Sequence, residues 1–359
     1  MFNKVKFYTL SIFIILILLS SSKIIMNNNF LIIKNNKHES FYLFHENLKK
    51  NYNSQINNIN NPNICINIEN KKVDRHHLRW VFEGLRINFL DTIYEISKSK
   101  KVLNYSFTLL IFLTLFLTFL LTVLSSKSFS KKKLNEMDVY NYLIVFVFFI
   151  FFLSIFSFRE VSEIRFSIFD MLLLSSCMFF AIKKNFLPYL FFCIISVLNR
   201  ESGIISSSLW FIFNGTTFNK NLFLTKFSLS HFSKSGITFL LSLFIFIFFN
   251  KEIFNCGFVP ELFMHEDVQN TRVFESTFFS FTNLNSFFVN FMFIFFITYF
   301  FWTGQNRQTQ ILYAIFIFNI IFIIFTPMNH TILRIILLPL LTLYLFCYFE
   351  SKRDRKRIN

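Results

Sequence analysis

Long apolar blocks limit this chain more than any other feature. They fall at residues 7–26, 102–124, 139–158, 168–182, 186–213, 237–249, 287–302, 311–325 and 332–349, separated by stretches rich in Lys, Asn and Ser. A helix rises 1.5 Å per residue, so about 20 apolar residues cross ~30 Å of hydrocarbon. The blocks are apolar on all sides and lack period-two alternation, which excludes an outer-membrane barrel. Charged residues are 16% of the chain, against roughly a quarter in soluble domains, which excludes a soluble enzyme. The expected fold is all-α: a polytopic transmembrane helical bundle of about eight full spans plus a broken or re-entrant helix pair.

Composition matters to how such helices meet. Phe reaches 59 residues while Gly is 6 and Pro 5, and Ala occurs only as Ala181 and Ala314. The excess of Phe, Ile, Asn and Lys follows AT-rich codons. Close helix packing in membranes normally uses small residues. Here Ser must supply most of them, as in Ser175-Ser176 and Ser206 to Ser208. The five Cys have no metal or CxxC spacing. Cys177, Cys193 and Cys347 read as small hydrophobes, and Cys65 and Cys256 would share a compartment.

The chain divides into a first helix (1–26), an external loop (27–101), a helical bundle (102–349) and a basic tail (350–359). The first helix follows Lys4 and Lys6 and lacks an A-x-A-like cleavage site, so it is expected to stay as an anchor with its N-terminus in the cytoplasm. Within the loop, Asn51 to Asn63 reads as irregular. His77 to Ile96 reads as an amphipathic helix, with Leu78, Val81, Phe82, Leu85, Phe89, Ile93 and Ile96 on one stripe and Arg79, Glu83, Arg86 and Glu95 off it. Such a helix suits a membrane surface or the cover of a small loop domain.

Net charge is 36 − 20 = +16. The cations sit mainly in loops and tails, so membrane orientation and anionic lipid explain them and nucleic acid is not an expected partner. Lys127 with Lys131 to Lys133, Lys183-Lys184, Lys220/Lys226/Lys234, Arg307 and the tail from Lys352 mark one side as cytoplasmic, with both termini there. Lys98, Lys100 and Lys101 fall on the opposite side. This path closes only if 186–213 dips in and returns. Its centre, Asn199-Arg200-Glu201-Ser202-Gly203, is a polar break with a Gly, as an apex needs.

Ionisable groups inside a membrane cost about 2.5–3.5 kcal/mol each on insertion scales, so they face a partner, a cavity or a pathway. Arg165 and Asp170, Arg200 and Glu201, and Arg334 are the candidates. Arg200–Glu201 is either a salt bridge holding the apex or part of a substrate pocket. Asp170 is either paired by Ser or set beside a cation. His265-Glu266-Asp267 and His76-His77 are adjacent loop residues and poor metal signatures. No Walker loop, nucleotide-binding Gly motif, GxSxG or HExxH occurs.

Arg165-Phe166-Ser167-Ile168-Phe169-Asp170, a basic turn at Lys183-Lys184, and Leu198-Asn199-Arg200-Glu201-Ser202 together resemble the C-type glycosyltransferase superfamily of polytopic membrane proteins. That resemblance covers about 159–214 in motifs and the rest in architecture. It implies sugar transfer from a polyprenyl-phosphate donor at the outer face, with a carboxylate of the first loop deprotonating the acceptor hydroxyl. Glu46 or Asp74 is then the base; Arg165, Asp170, Arg200, Glu201 and Arg334 serve the substrate. The superfamily's carboxylate usually stands early in that loop beside a second acid, and the early stretch offers Glu39 and Glu46 without an acidic pair. No metal and no cofactor are implied; the partners are a lipid-linked sugar and membrane lipids. A polysaccharide polymerase or ligase of the O-antigen type, a transporter, and a non-catalytic membrane component are the alternatives.

Overall fold

A computed structural model describes residues 2–30, 41–43, 45–46, 49–50, 53, 80–130, 139–157, 164–199, 201–219, 222–248, 293–325 and 336–358. In chain order the elements are α1 (Phe2–Phe30), α2 (Trp80–Ser97), α3 (Lys100–Ser130), α4 (Val139–Ser157), α5 (Ile164–Ile182), α6 (Phe186–Asn199), a 3-10 segment (Glu201–Ser207) and α7 (Ser208–Gly215). Then follow β1 (Thr216–Phe218), β2 (Leu224–Phe227), α8 (Leu229–Phe248), α9 (Phe293–Phe300), α10 (Asn306–Phe325) and α11 (Leu338–Ile358). The fold is mostly helical. Two described helices, Lys100–Phe129 and Leu229–Phe248, are long and apolar enough to cross a membrane, and shorter apolar stretches occupy Tyr8–Lys23, Ile168–Ile182 and Phe186–Asn199.

The all-α expectation needs one correction. Thr216–Phe218 and Leu224–Phe227 form an antiparallel hairpin, with Thr216 opposite Phe227 and an irregularity after Thr217. Its strands hold β-branched and aromatic residues, which suit a pleated surface. Leu222 takes a left-handed conformation (φ 67°) in the turn, and Tyr313 Oη donates to its carbonyl at 2.8 Å.

The core is organised on α3 and α11. On α3, Leu103, Phe107, Ile111, Leu115, Phe119 and Val123 are buried at every fourth position. Thr114, Thr118 and Thr122 are buried beside them, each hydroxyl donating to the carbonyl four residues back at 2.7–2.8 Å. Such a stripe lets α5 approach closely, because each hydroxyl is satisfied within its own helix. On α5 the buried Ser175 and Ser176 do the same toward Met171 and Leu172. Ser thus supplies small contacts where the sequence placed them, and Thr adds a row. α11 is buried nearly all round from Leu338 to Phe346, as a helix without a polar face requires. Beyond Phe349 it continues helically through the basic residues to Ile358. Cations at a helix C-terminus are stabilised by the helix dipole.

The outward face of α3 is apolar for most of its length: Tyr105, Leu109, Leu113, Leu117 and Leu120 are exposed. On α2 the stripe foreseen from the sequence also faces outward, with Leu85, Phe89 and Ile96 exposed, while Ile87 and Leu90 pack inward. Arg86, off that stripe, is buried, its guanidinium 5.4 Å above the Phe107 ring. Lys100 and Lys101, on the side opposite the other cations, sit against the rings of Tyr42 and Tyr105 at 4.7 and 5.9 Å.

Residues 186–199 and 201–215 form a folded-back pair. Tyr189 Oη, near the start of α6, lies 2.8 Å from the carbonyls of both Ser206 and Ser207 and accepts the Trp210 N–H at 3.2 Å. The Ser235 hydroxyl of α8 donates to the same Ser207 carbonyl at 2.6 Å. Gly203 is needed for space: a Cβ there would lie 2.3 Å from the Ser196 carbonyl carbon and 2.5 Å from the Val197 nitrogen. The pair begins and ends at one end of the bundle, where Phe213 and Asn214 meet Lys183 and Lys184.

Candidate functional site

Two polar clusters lie among the described residues away from that basic end. The first is at the tip of the hairpin. Asp170, one turn and more into α5, is 4% exposed, and Asn199, the last residue of α6, is 3% exposed. Asn199 Nδ2 donates to Asp170 Oδ1 at 2.6 Å. Asn199 Oδ1 is buried without a hydrogen-bond partner among the described residues. One oxygen of the Asp170 carboxylate is therefore held by an amide, a partner that the sequence reading did not name. From Ile182 at the basic end, Asp170 is twelve residues back along α5, about 18 Å. The fourteen residues of α6 rise about 21 Å from the same end, so the hairpin tip reaches that depth.

The second cluster joins the first loop to α2. His45 Nε2 lies 2.8 Å from Asp91 Oδ1, and Lys49 Nζ lies 2.7 Å from Asp91 Oδ2. His45 is 2% exposed. One ligand-type atom each from His45, Glu46 and Asp91 lie within 4.8 Å of one another. Hydrogen bonding to Asp91 raises the Lys49 pKa above its ordinary value and keeps it cationic. Asp91 Oδ1 can accept from His45 Nε2–H, the pairing by which a carboxylate orients an imidazole. The three residues could also hold a divalent cation, though Lys49 already engages one Asp91 oxygen. Aromatic contacts fix the cluster's base: Phe41 stacks on Phe107 at 5.3 Å between ring centroids, and Tyr42 meets Tyr94 at 5.0 Å.

Of the residues singled out from the sequence, Asp170 and Glu46 are placed, and in different clusters. Asp74, Arg200 and Arg334 lie outside the described residues, as do Cys65 and Cys256. For Arg165 and Glu201 the helical backbone is described and the side chain is not. His45, Lys49 and Asp91 were missed. Asp91 carried a signal, since it shares a helix face with Ile87 and Leu90, opposite the apolar stripe. His45 and Lys49 carried none, because their partner is 46 and 42 residues away.

No protein-family model matches the chain, no curated protein matches it, and no solved structure matches it.

Proposed function

We propose that this chain is a polytopic membrane protein that transfers a sugar from a polyprenyl-phosphate donor at the outer face of the cytoplasmic membrane. The observation that supports this reading is the place of Glu46, a first-loop carboxylate set within 4.8 Å of His45 and Asp91 ligand-type atoms. In that reading Glu46, or His45 held by Asp91, accepts the proton of the acceptor hydroxyl, and the leaving lipid phosphate is held by basic groups. Exposed leucines along α3 and the outward stripe of α2 are the surfaces that would meet lipid.

The test uses the full-length protein in proteoliposomes with labelled polyprenyl-phosphate sugars and a panel of acceptors. Glu46→Gln and Asp91→Asn are expected to lower transfer by about 10²–10⁴-fold at unchanged protein level, the usual contribution of a general base. Failure of the wild-type chain to consume any lipid-linked sugar would sink the reading.

A transporter is the second reading, favoured by one observation. The hairpin tip sets the unpaired Asn199 Oδ1 beside the Asp170 carboxylate at depth, as discontinuous helices do around a coupling ion. Solute accumulation by the same proteoliposomes without sugar transfer would decide for it.

A further inference from the structure

Lys127, Lys183, Lys184 and Arg307, from basic segments that the sequence placed on one side, converge at one end of the bundle. There, a cavity of about 750 Å³ is lined by Lys127, Lys183, Lys184 and Arg307, together with the amides of Asn214 and Gln310. Among the described residues, its lining contains no carboxylate. Among the described residues, no acidic side chain forms an ion pair with Lys183, Lys184 or Arg307.

Three of these cations have a local explanation. Lys127 stands in the last turn of α3, and Lys183 and Lys184 follow the last turn of α5, where a helix dipole favours positive charge. Arg307 has none. It occupies the first turn of α10, a turn without an acidic residue, so its charge opposes the dipole. Its guanidinium rests 5.5 Å above the Phe129 ring, which orients it without neutralising it. Lys184 carries a second cost. α5 ends with Asn185 N–H donating to Phe180 and Lys184 N–H to Ala181, the hydrogen bonds of a Schellman motif. That motif puts Lys184 at the left-handed position (φ 61°) normally given to Gly.

The neutral polar groups complete the picture. Asn306, which also lines the cavity, accepts the Phe218 N–H on Oδ1 at 2.6 Å at the start of α10. Gln310 Nε2 is spent on the Thr216 carbonyl at 2.6 Å and so steadies the cavity wall. The N-terminal N–H groups of a 20-residue helix therefore stand at a cavity ringed by four cations. An anion with several acceptor oxygens removes the repulsion among Lys183, Lys184 and Arg307 and satisfies the helix end together.

We propose that this cavity binds a phosphate-bearing anion, through Arg307, Lys183, Lys184 and the N-terminus of α10. It lies at the opposite end of the bundle from His45 and Glu46 and stands whether or not the chain transfers sugar. Lipid headgroup phosphate and free phosphate share this chemistry; basic pockets between helices at a membrane face take the first readily.

The full-length protein in uncharged detergent is titrated with ³²P-labelled inorganic phosphate in one arm and short-chain phosphatidic acid in the other, with short-chain phosphatidylcholine as control. Saturable binding is expected in at least one of the first two arms, weakened about tenfold or more by Arg307→Gln and by Lys183→Gln with Lys184→Gln. The tighter arm identifies the source of the phosphate. Both variants remove like charge, so each is expected to elute as the wild-type particle; should one fail to, the other decides alone. Absence of saturable binding in both phosphate arms overturns the proposal. So does undiminished binding in a folded variant, or equal binding of phosphatidylcholine.

Discussion

Gly203→Ala tests the folded-back pair most directly. The new methyl carbon would sit 2.3 Å from the Ser196 carbonyl carbon, 2.5 Å from the Val197 nitrogen and 2.6 Å from the Ser196 oxygen. Carbon atoms rest at about 3.5–4.0 Å, so the two arms must part by roughly 1 Å. Nothing flexible is in the way: all three clashing atoms are backbone. Overpacking of this kind costs about 1–3 kcal/mol. Parting the arms also stretches the bonds of the buried Tyr189 hydroxyl to Ser206, Ser207 and Trp210, and an unsatisfied buried polar group costs about 1–3 kcal/mol more. A loss of about 2–5 kcal/mol is therefore expected. Reversible unfolding in mixed micelles, followed by tryptophan fluorescence, would measure it. Gly236→Ala is the control: nothing lies within 4 Å of its Cβ, and the site is inside α8. Ala there should add about 0.5–1 kcal/mol through helix propensity. If Gly203→Ala matches wild type within about 0.5 kcal/mol, the close approach of the arms is wrong.

Lys184→Gly should act in two directions. It relieves the left-handed strain at the end of α5 and raises stability by about 1 kcal/mol, while weakening phosphate binding; a variant that is less stable would refute the strain argument. Lys49→Met should change the alkaline limb of stability. The folded Lys49 pKa is raised above 10.5 by Asp91, so its contribution is complete below the unfolded lysine value and is lost as pH rises through the folded one. Unfolding between about pH 8 and 11.5 should thus show a lower plateau and a shallower alkaline fall in the variant. An unchanged slope would mean that Lys49 and Asp91 do not interact in solution.

Much of this architecture is legible in the sequence because apolar length and charge placement are local properties. The break at 199–203 needed only a long block, a polar centre and a Gly. The convergence of Lys127, Lys183, Lys184 and Arg307 followed from charge sign alone, although the cavity between them did not. Helix faces were harder to read. The stripe on α2 was legible, but the position of Arg86 under it depends on Phe107, a residue of the next helix. The Thr row of α3 was hidden because Thr114, Thr118 and Thr122 look like interruptions of an apolar run; in place, each spends its hydroxyl on its own helix. The β-hairpin was obscured by Lys220 and Lys226, which read as loop charge.

The vertical arrangement of groups joins these observations. On α3, Phe107 stands beside Phe41, and Phe129 stands beside Arg307 and Phe213 at the cavity. Twenty-two residues separate them, about 33 Å of helix, close to the ~30 Å of a hydrocarbon core. The exposed side chains between them include Leu109, Leu113, Leu117 and Leu120. The cationic cavity lies at one limit and the His45, Glu46 and Asp91 cluster beyond the other. Asp170, about 18 Å from the cavity end, falls near the middle. In the proposed membrane reading, a carboxylate at that depth is tolerated only when turned into protein, and Asp170 is 4% exposed and bonded to Asn199. The amide that holds it is delivered by a hairpin that enters from the cavity end and turns back at that same level. Asn199, the last residue of α6, donates to Asp170 where the helix ends, and the close approach of Gly203 to Ser196 and Val197 lets the chain turn back there.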